Sequence, residues 1–175
     1  YDGRKHISIA LFIPDQTIVI NGTSKTYSMT GWRIGYTAGD INVIKAISRI
    51  QSQTTSNPCS ISQYAALSAI TGPQGCVEEM RLEFDKRRRF IVDRLNNISG
   101  LCCQMPEGAF YAFCNIKALS LGSEEFAAQL LSKAQVAVVP GKAFGAEGFI
   151  RLSYATSLSN LEKAGDRIET ALKIL

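Results

Sequence analysis

Two short apolar runs, residues 17–20 (Thr-Ile-Val-Ile) and residues 34–38, bracket a polar, glycine-containing loop with a single lysine, Lys25. Both runs are rich in β-branched residues and bounded by Gly, Asn and Asp, so they are expected to form short buried strands. The loop between them then starts at a strand end, with Lys25 near its beginning and Arg33 eight residues further on. An amine beside a rigid cationic fork suits a phosphate-bearing aldehyde: the amine condenses with the carbonyl and the guanidinium grips the phosphate through paired hydrogen bonds. A phosphate loop of the nucleotide-binding kind does not fit. That motif needs four residues between its glycines and a Gly directly before the Lys, where Ser24 stands.

Elsewhere the pattern alternates between helix and strand. A strand is expected at residues 6–10 and a helix after Asp40, its N-cap, with Ile41, Ile44, Ile47 and Ile50 on one core-facing side. Pro58 holds Asn57 extended and ends that helix, and Ser60 is placed to cap the next. A long helix follows over about residues 76–97, with Val77, Met80, Phe84, Ile91 and Leu95 as its apolar stripe. Its run Lys86-Arg87-Arg88-Arg89 follows Glu78, Glu79, Glu83 and Asp85. Acid toward the N-terminus and base toward the C-terminus is what the helix dipole prefers, so the run is read as a solvated helix face and not as a nucleic-acid or membrane patch. Strands are expected at residues 101–104, 108–114, 136–139 and 149–154, and helices capped by Ser123 and Ser159. Length and order together give an α/β chain.

The net charge of +4 and the 19% of charged residues are those of an ordinary globular chain. Five cysteines without paired spacing read as reduced, mostly buried thiols of a cytoplasmic protein, and a single histidine leaves no metal site to expect. No stretch is long and apolar enough to span a membrane.

Gly22, Thr23, Ser24, Lys25, Ser28, Met29, Gly31, Arg33, Ile34 and Gly35 together resemble the cofactor-lysine signature of class I pyridoxal-phosphate aminotransferases of fold type I. Ser24-Lys25-Thr26-Tyr27 followed by Met29-Thr30-Gly31-Trp32-Arg33-Ile34-Gly35-Tyr36 is most similar to the bacterial aspartate aminotransferase branch. The resemblance implies an imine between Lys25 and pyridoxal 5'-phosphate, with Arg33 and Ser24 on the phosphate. It implies that Arg151, in Arg-Leu-Ser-Tyr-Ala, binds the substrate's α-carboxylate. From its residues alone Arg151 could equally be a structural ion pair or an edge-strand arginine. The Ser-Asn-Pro loop carrying Asn57 would reach across a homodimer interface to the partner's substrate. Amino acid and 2-oxo acid would be the substrates.

The resemblance further implies that the chain is the C-terminal part of such an enzyme and inactive alone. Residues 1–85 would finish the large domain's mostly parallel sheet, and residues 86–175 would form a small α/β domain, joined by the long helix. A carbon–sulfur lyase on the same fold and the sensing domain of a transcriptional regulator remain alternatives, both disfavoured by Thr30-Gly31-Trp32-Arg33.

Overall fold

The computed structural model describes residues 1–174. The chain divides into two compact units, residues 4–80 and residues 1–3 together with the chain from Arg81 onward. Each is described by itself.

In residues 4–80, β1 (Val19–Gly22) and β2 (Gly35–Ala38) pair antiparallel, Val19 opposite Ala38 and Gly22 opposite Gly35. The expected strands are present, but they form a two-stranded antiparallel ribbon and not a stretch of parallel sheet. They are not buried: Ile20 is 80% exposed. β-branched side chains favour the pleat whether or not another layer covers it, so their type reports strand but not burial. Gly22 and Gly35 allow the strands to close at the mouth of the loop, since a Cβ on either would sit 3.1 Å from a carbonyl oxygen of the facing strand.

The expected strand at residues 6–10 is absent. Ser8 Oγ accepts the Ala10 amide, and Ile9–Leu11 turns as a 3-10 helix instead. A hydroxyl that bonds a backbone amide two residues on offers the chain a local turn in place of a ladder. α1 (Ile41–Thr54) begins at Asp40 as expected, the carboxylate accepting the Asn42 and Val43 amides. Its isoleucines do not face a core: Ile41, Ile47 and Ile50 are exposed and the helix buries no residue. Periodicity fixes which side is apolar, not what covers it. α2 (Ser60–Thr71) has Cys59 at its N-cap position, without a side-chain capping bond, and Ser60, the expected cap, is its first residue.

The second unit holds the core. α3 (Gly75–Asn96) enters it from Arg81 onward and buries Ile91, Val92 and Leu95. Beyond it lies an antiparallel sheet in the order β3 (Cys102–Cys103), β4 (Tyr111–Asn115), β6 (Phe149–Ser153), β5 (Val139–Pro140). One face of the central pair, Ala112, Cys114, Ile150 and Leu152, is buried with Ile91 and Leu95 of α3, Phe126 of α4 (Ser123–Gln129) and Leu161 and Ile168 of α5 (Leu158–Leu172). Each buried Ile, Leu or Phe side chain there contributes about 1.5–3 kcal/mol. The other face carries Tyr111, Phe113, Phe149 and Arg151, all half-buried.

Ser123 is not a free cap. It is buried at the start of α4, where the Glu147 carboxylate accepts from its amide at 2.6 Å and its hydroxyl at 2.9 Å. Ser157, rather than Ser159, caps α5 by accepting the Asn160 amide. Of the five cysteines only Cys103 and Cys114 are buried; Cys59, Cys76 and Cys102 are exposed. Lys86 and Arg89 of the basic run are exposed as a solvated face requires, but the Arg88 side chain is wholly buried and paired with Asp2 and Asp85. An arginine can be buried when carboxylates from elsewhere in the chain meet its charge, which helix-face reasoning does not see.

Candidate functional site

The loop between β1 and β2 is wound by its own backbone. Tyr27 N–H donates to Thr23 O and Ser28 N–H to Lys25 O, both at 3.2 Å. Thr30 Oγ1 donates back to Ser24 O at 3.0 Å, so the residues before and after the turn are tied together. Within the same unit, the Tyr27 hydroxyl donates to Gln74 Oε1 and the Ser28 hydroxyl reaches Met80 Sδ. These contacts leave Ser24 half-buried and Lys25 exposed on a loop pinned at both ends by the β1–β2 pair.

Arg33 closes the loop in a left-handed conformation, φ 51° and ψ 49°, after the 3-10 turn Thr30–Trp32. A non-glycine residue held there costs on the order of 1–3 kcal/mol, a strain that gathers at ligand-binding places. Its Nη1 donates to Thr30 O at 3.1 Å. Beside Ser24, Thr23 is 1% exposed and its Oγ1 has no hydrogen-bond partner. A buried hydroxyl left unpaired costs about 1–3 kcal/mol unless a ligand or another chain satisfies it. An amine, two hydroxyls and a guanidinium on one loop are the donor set that a phosphate-bearing aldehyde requires, so these residues fit pyridoxal phosphate.

Asn57 lies on the exposed connection between α1 and α2. Its amide donates to Pro58 O at 2.8 Å, and Ser56 before it is left-handed, φ 64°. Thus Ser24, Lys25 and Arg33 share one loop, Asn57 stands on another loop of the same unit, and Arg151 belongs to the other unit.

Arg151 sits at the middle of β6, opposite Phe113 on β4 and Val139 on β5. Among the described residues no carboxylate pairs with it. Its guanidinium instead lies 4.2 Å from the Tyr111 ring centroid and 4.6 Å from that of Phe144. The expectation that it could be a structural ion pair is therefore not met; aromatic faces, not an acid, receive the charge.

The buried cluster around Arg88 was not visible from the sequence. Beyond Asp2 and Asp85, its Nη1 donates to Pro106 O at 2.7 Å and its guanidinium lies over the Tyr1 ring at 4.4 Å. The Tyr1 and Tyr154 hydroxyls both donate to Ala109 O, at 2.6 and 3.0 Å, so the cluster also holds the loop leading into β4. Asp85, three residues before Arg88, was the available signal. Nothing in the local pattern pointed to Asp2. Among the described residues no cluster of three His, Cys, Asp or Glu side chains could hold a metal ion, and no helix is long and apolar enough to cross a membrane.

Comparison with known proteins places this geometry. A family model for aminotransferase class I and II matches residues 3–168. The chain is 51% identical to an aspartate aminotransferase of Geobacillus stearothermophilus over 96% of its own length and 45% of that protein's. It is 50% identical to an aspartate aminotransferase of Bacillus subtilis over 97% of its length and 45% of the relative. Among solved structures, the aspartate aminotransferase from Rhizobium meliloti superposes with a TM-score of 0.94 at 44% identity, covering 99% of this chain and 46% of that one. The Thermus thermophilus aspartate aminotransferase with maleate superposes at 0.91 and 40% identity, covering 96% and 44%. The chain therefore spans less than half the length of the relatives it matches. The match nonetheless runs through the lysine loop and the arginine strand alike, and the chain belongs to the class I and II aminotransferase family.

Proposed function

We propose that the protein containing this chain is a pyridoxal-phosphate-dependent aminotransferase that moves an amino group between aspartate, or a similar amino acid, and a 2-oxo acid. The observation that carries the reading is the pinned loop presenting Lys25 together with Ser24 and a strained Arg33. The names of the relatives support the amino acid: aspartate for Geobacillus stearothermophilus and Bacillus subtilis. A Nitrosomonas europaea relative at 46% identity is an aspartate/prephenate aminotransferase, which favours prephenate as the second amino-group partner to try.

In this reading Lys25 Nζ would hold the cofactor by its aldehyde group. The Lys25 amine would also be the base that takes the proton from the substrate's Cα. Arg33 would hold the phosphate, its fork being suited to bidentate contact, with the Ser24 hydroxyl and the unpaired Thr23 hydroxyl as further donors. When bound, the cofactor supplies an electron sink for the pair left as the Cα–H bond breaks. Arg151 takes the α-carboxylate and so fixes which Cα bond is presented. Asn57, on its exposed loop, serves the partner's site in a homodimer. Free thiols at all five cysteines fit a reducing, cytoplasmic location.

The test is borohydride reduction of the full-length protein loaded with pyridoxal phosphate, followed by peptide mapping. The label is expected on Lys25, and Lys25→Ala should abolish transamination. Label on Lys45 or Lys142 instead would overturn the assignment.

A further inference from the structure

We propose that Tyr111 and Phe144 are positioning residues that clamp the Arg151 guanidinium edge-outward, ready to grip a carboxylate. The proposal rests on the reading of Arg151 as the carboxylate-binding arginine.

The two rings come from separate parts of the second unit. Tyr111 is on β4, one same-face position from Phe113, which stands directly opposite Arg151. Phe144 comes from the 3-10 turn Gly141–Phe144 that follows β5. They lie 4.2 and 4.6 Å from the guanidinium carbon. Contacts of this kind favour the charge while leaving the N–H edge unused. Among the described residues no carboxylate pairs with Arg151, and that edge is what a carboxylate needs for two parallel hydrogen bonds.

Each ring is itself held. Phe144 meets Phe113 edge-on, with centroids 6.1 Å apart and an 81° interplanar angle. Phe113 in turn stacks on Phe149 at 5.1 Å and 7°. On the other side Tyr111 rests on Phe110 at 4.5 Å. The turn that delivers Phe144 depends on Gly141, where a Cβ would fall 2.2 Å from Ala146 O and 2.5 Å from Phe149 O. A guanidinium fixed by such a row has lost its rotamer freedom before any ligand arrives, so less ordering remains to be done on binding. An aspartate or glutamate neighbour would also fix the arginine, but it would occupy the same edge. Aromatic faces position the side chain without competing for it.

The experiment uses the full-length protein and measures KM and kcat for aspartate, the dissociation constant of maleate, and the bound-cofactor absorbance. Tyr111→Leu and Phe144→Leu should each raise KM and weaken maleate by about three- to tenfold, the range of a lost cation–π contact, with kcat within about twofold and the absorbance unchanged. Tyr111→Phe should behave as wild type, because the ring and not the hydroxyl acts. Both leucine effects should shrink in an Arg151→Lys background, since the group they position is gone. Phe144 is 47% exposed, so its replacement leaves the core intact and the test does not hinge on folding. Arg151→Lys raising KM while both leucine variants match wild type would overturn the clamp and leave the carboxylate reading standing. Arg151→Lys without effect on KM or maleate would overturn that reading itself. A Tyr111→Phe variant as impaired as Tyr111→Leu would also overturn the clamp.

Discussion

Arg88 and Asp2, 86 residues apart, are joined by two parallel hydrogen bonds of 2.8 and 2.9 Å. The guanidinium is fully buried, while the carboxylate remains part-exposed and is shared with Arg89 at 2.8 Å. One buried arginine thereby ties the first residues of the chain to α3 and, through Pro106 O, to the loop before β4.

Arg88→Met should lower the stability of the full-length protein by about 1–3 kcal/mol, the cost of stranding polar partners that a thioether cannot satisfy. Urea unfolding followed by tryptophan fluorescence and circular dichroism measures it. An unchanged midpoint would mean that the apolar stem of Arg88, and not its ion pairs, matters.

The same pair predicts an acid response. The Arg88 hydrogen bond, aided by the charges of Arg88 and Arg89, holds the Asp2 carboxyl at about 2, against 3.8 for the unperturbed group. A carboxyl depressed in the folded state gives stability that is present in full above its unfolded value and lost as pH falls through the folded one. The stability difference between wild type and Asp2→Asn should therefore be constant at neutral pH and shrink between about pH 4 and pH 2. Unfolding midpoints of both proteins across that range test it. A difference that persists at the acid end would remove Asp2 from the account.

Arg33 and Arg151 should separate in kinetics. Arg33→Lys should weaken cofactor retention about tenfold or more, because a point charge cannot reproduce a bidentate grip. Arg151→Lys should leave the cofactor absorbance intact and raise KM for every amino acid tried. Dialysis against buffer followed by absorbance, alongside steady-state kinetics, distinguishes them. Equal cofactor loss in both variants would mean the roles are not divided in this way.

Gly141→Ala should act at a distance. Its Cβ meets two backbone oxygens that cannot step aside, so the turn carrying Phe144 must move. The expected results are about 1–3 kcal/mol of lost stability, as in overpacked sites, and a raised KM for aspartate with kcat nearly unchanged. A stability loss without any change in KM would show that the turn relaxes without disturbing Arg151.

The lysine loop was legible because its residues act locally: Lys25, Ser24 and Arg33 sit within one turn of chain between two strand-forming runs. The strand around Arg151 was legible for the same reason, from the apolar residues that flank the arginine in residues 149–154, but its register was not. What could not be read was set by contacts distant in sequence. Whether Ile20, Ile41 and Ile50 are buried depends on what lies over them, and they are exposed here. That Arg88 is buried depends on Asp2, and that Arg151 is met by rings depends on Phe144 arriving from beyond β5. The missed helix starts at Cys59 and Ser157 are smaller errors of one or two positions; at α5 Ser157 and Ser159 both offer a hydroxyl to the same helix end.

The second unit is discontinuous in sequence: residues 1–3 belong to it, and residues 4–80 intervene before it resumes. This gives the chain an order of events. During synthesis Tyr1 and Asp2 leave the ribosome before their partners at Arg88 and Ala109, which follow only after the whole intervening unit has emerged. Closing so long a loop adds only slowly to the entropic cost, but it cannot begin before the partners exist. The docking of Tyr1 and Asp2 is therefore a late step, and until then Arg88 waits on α3 with only Asp85 beside it.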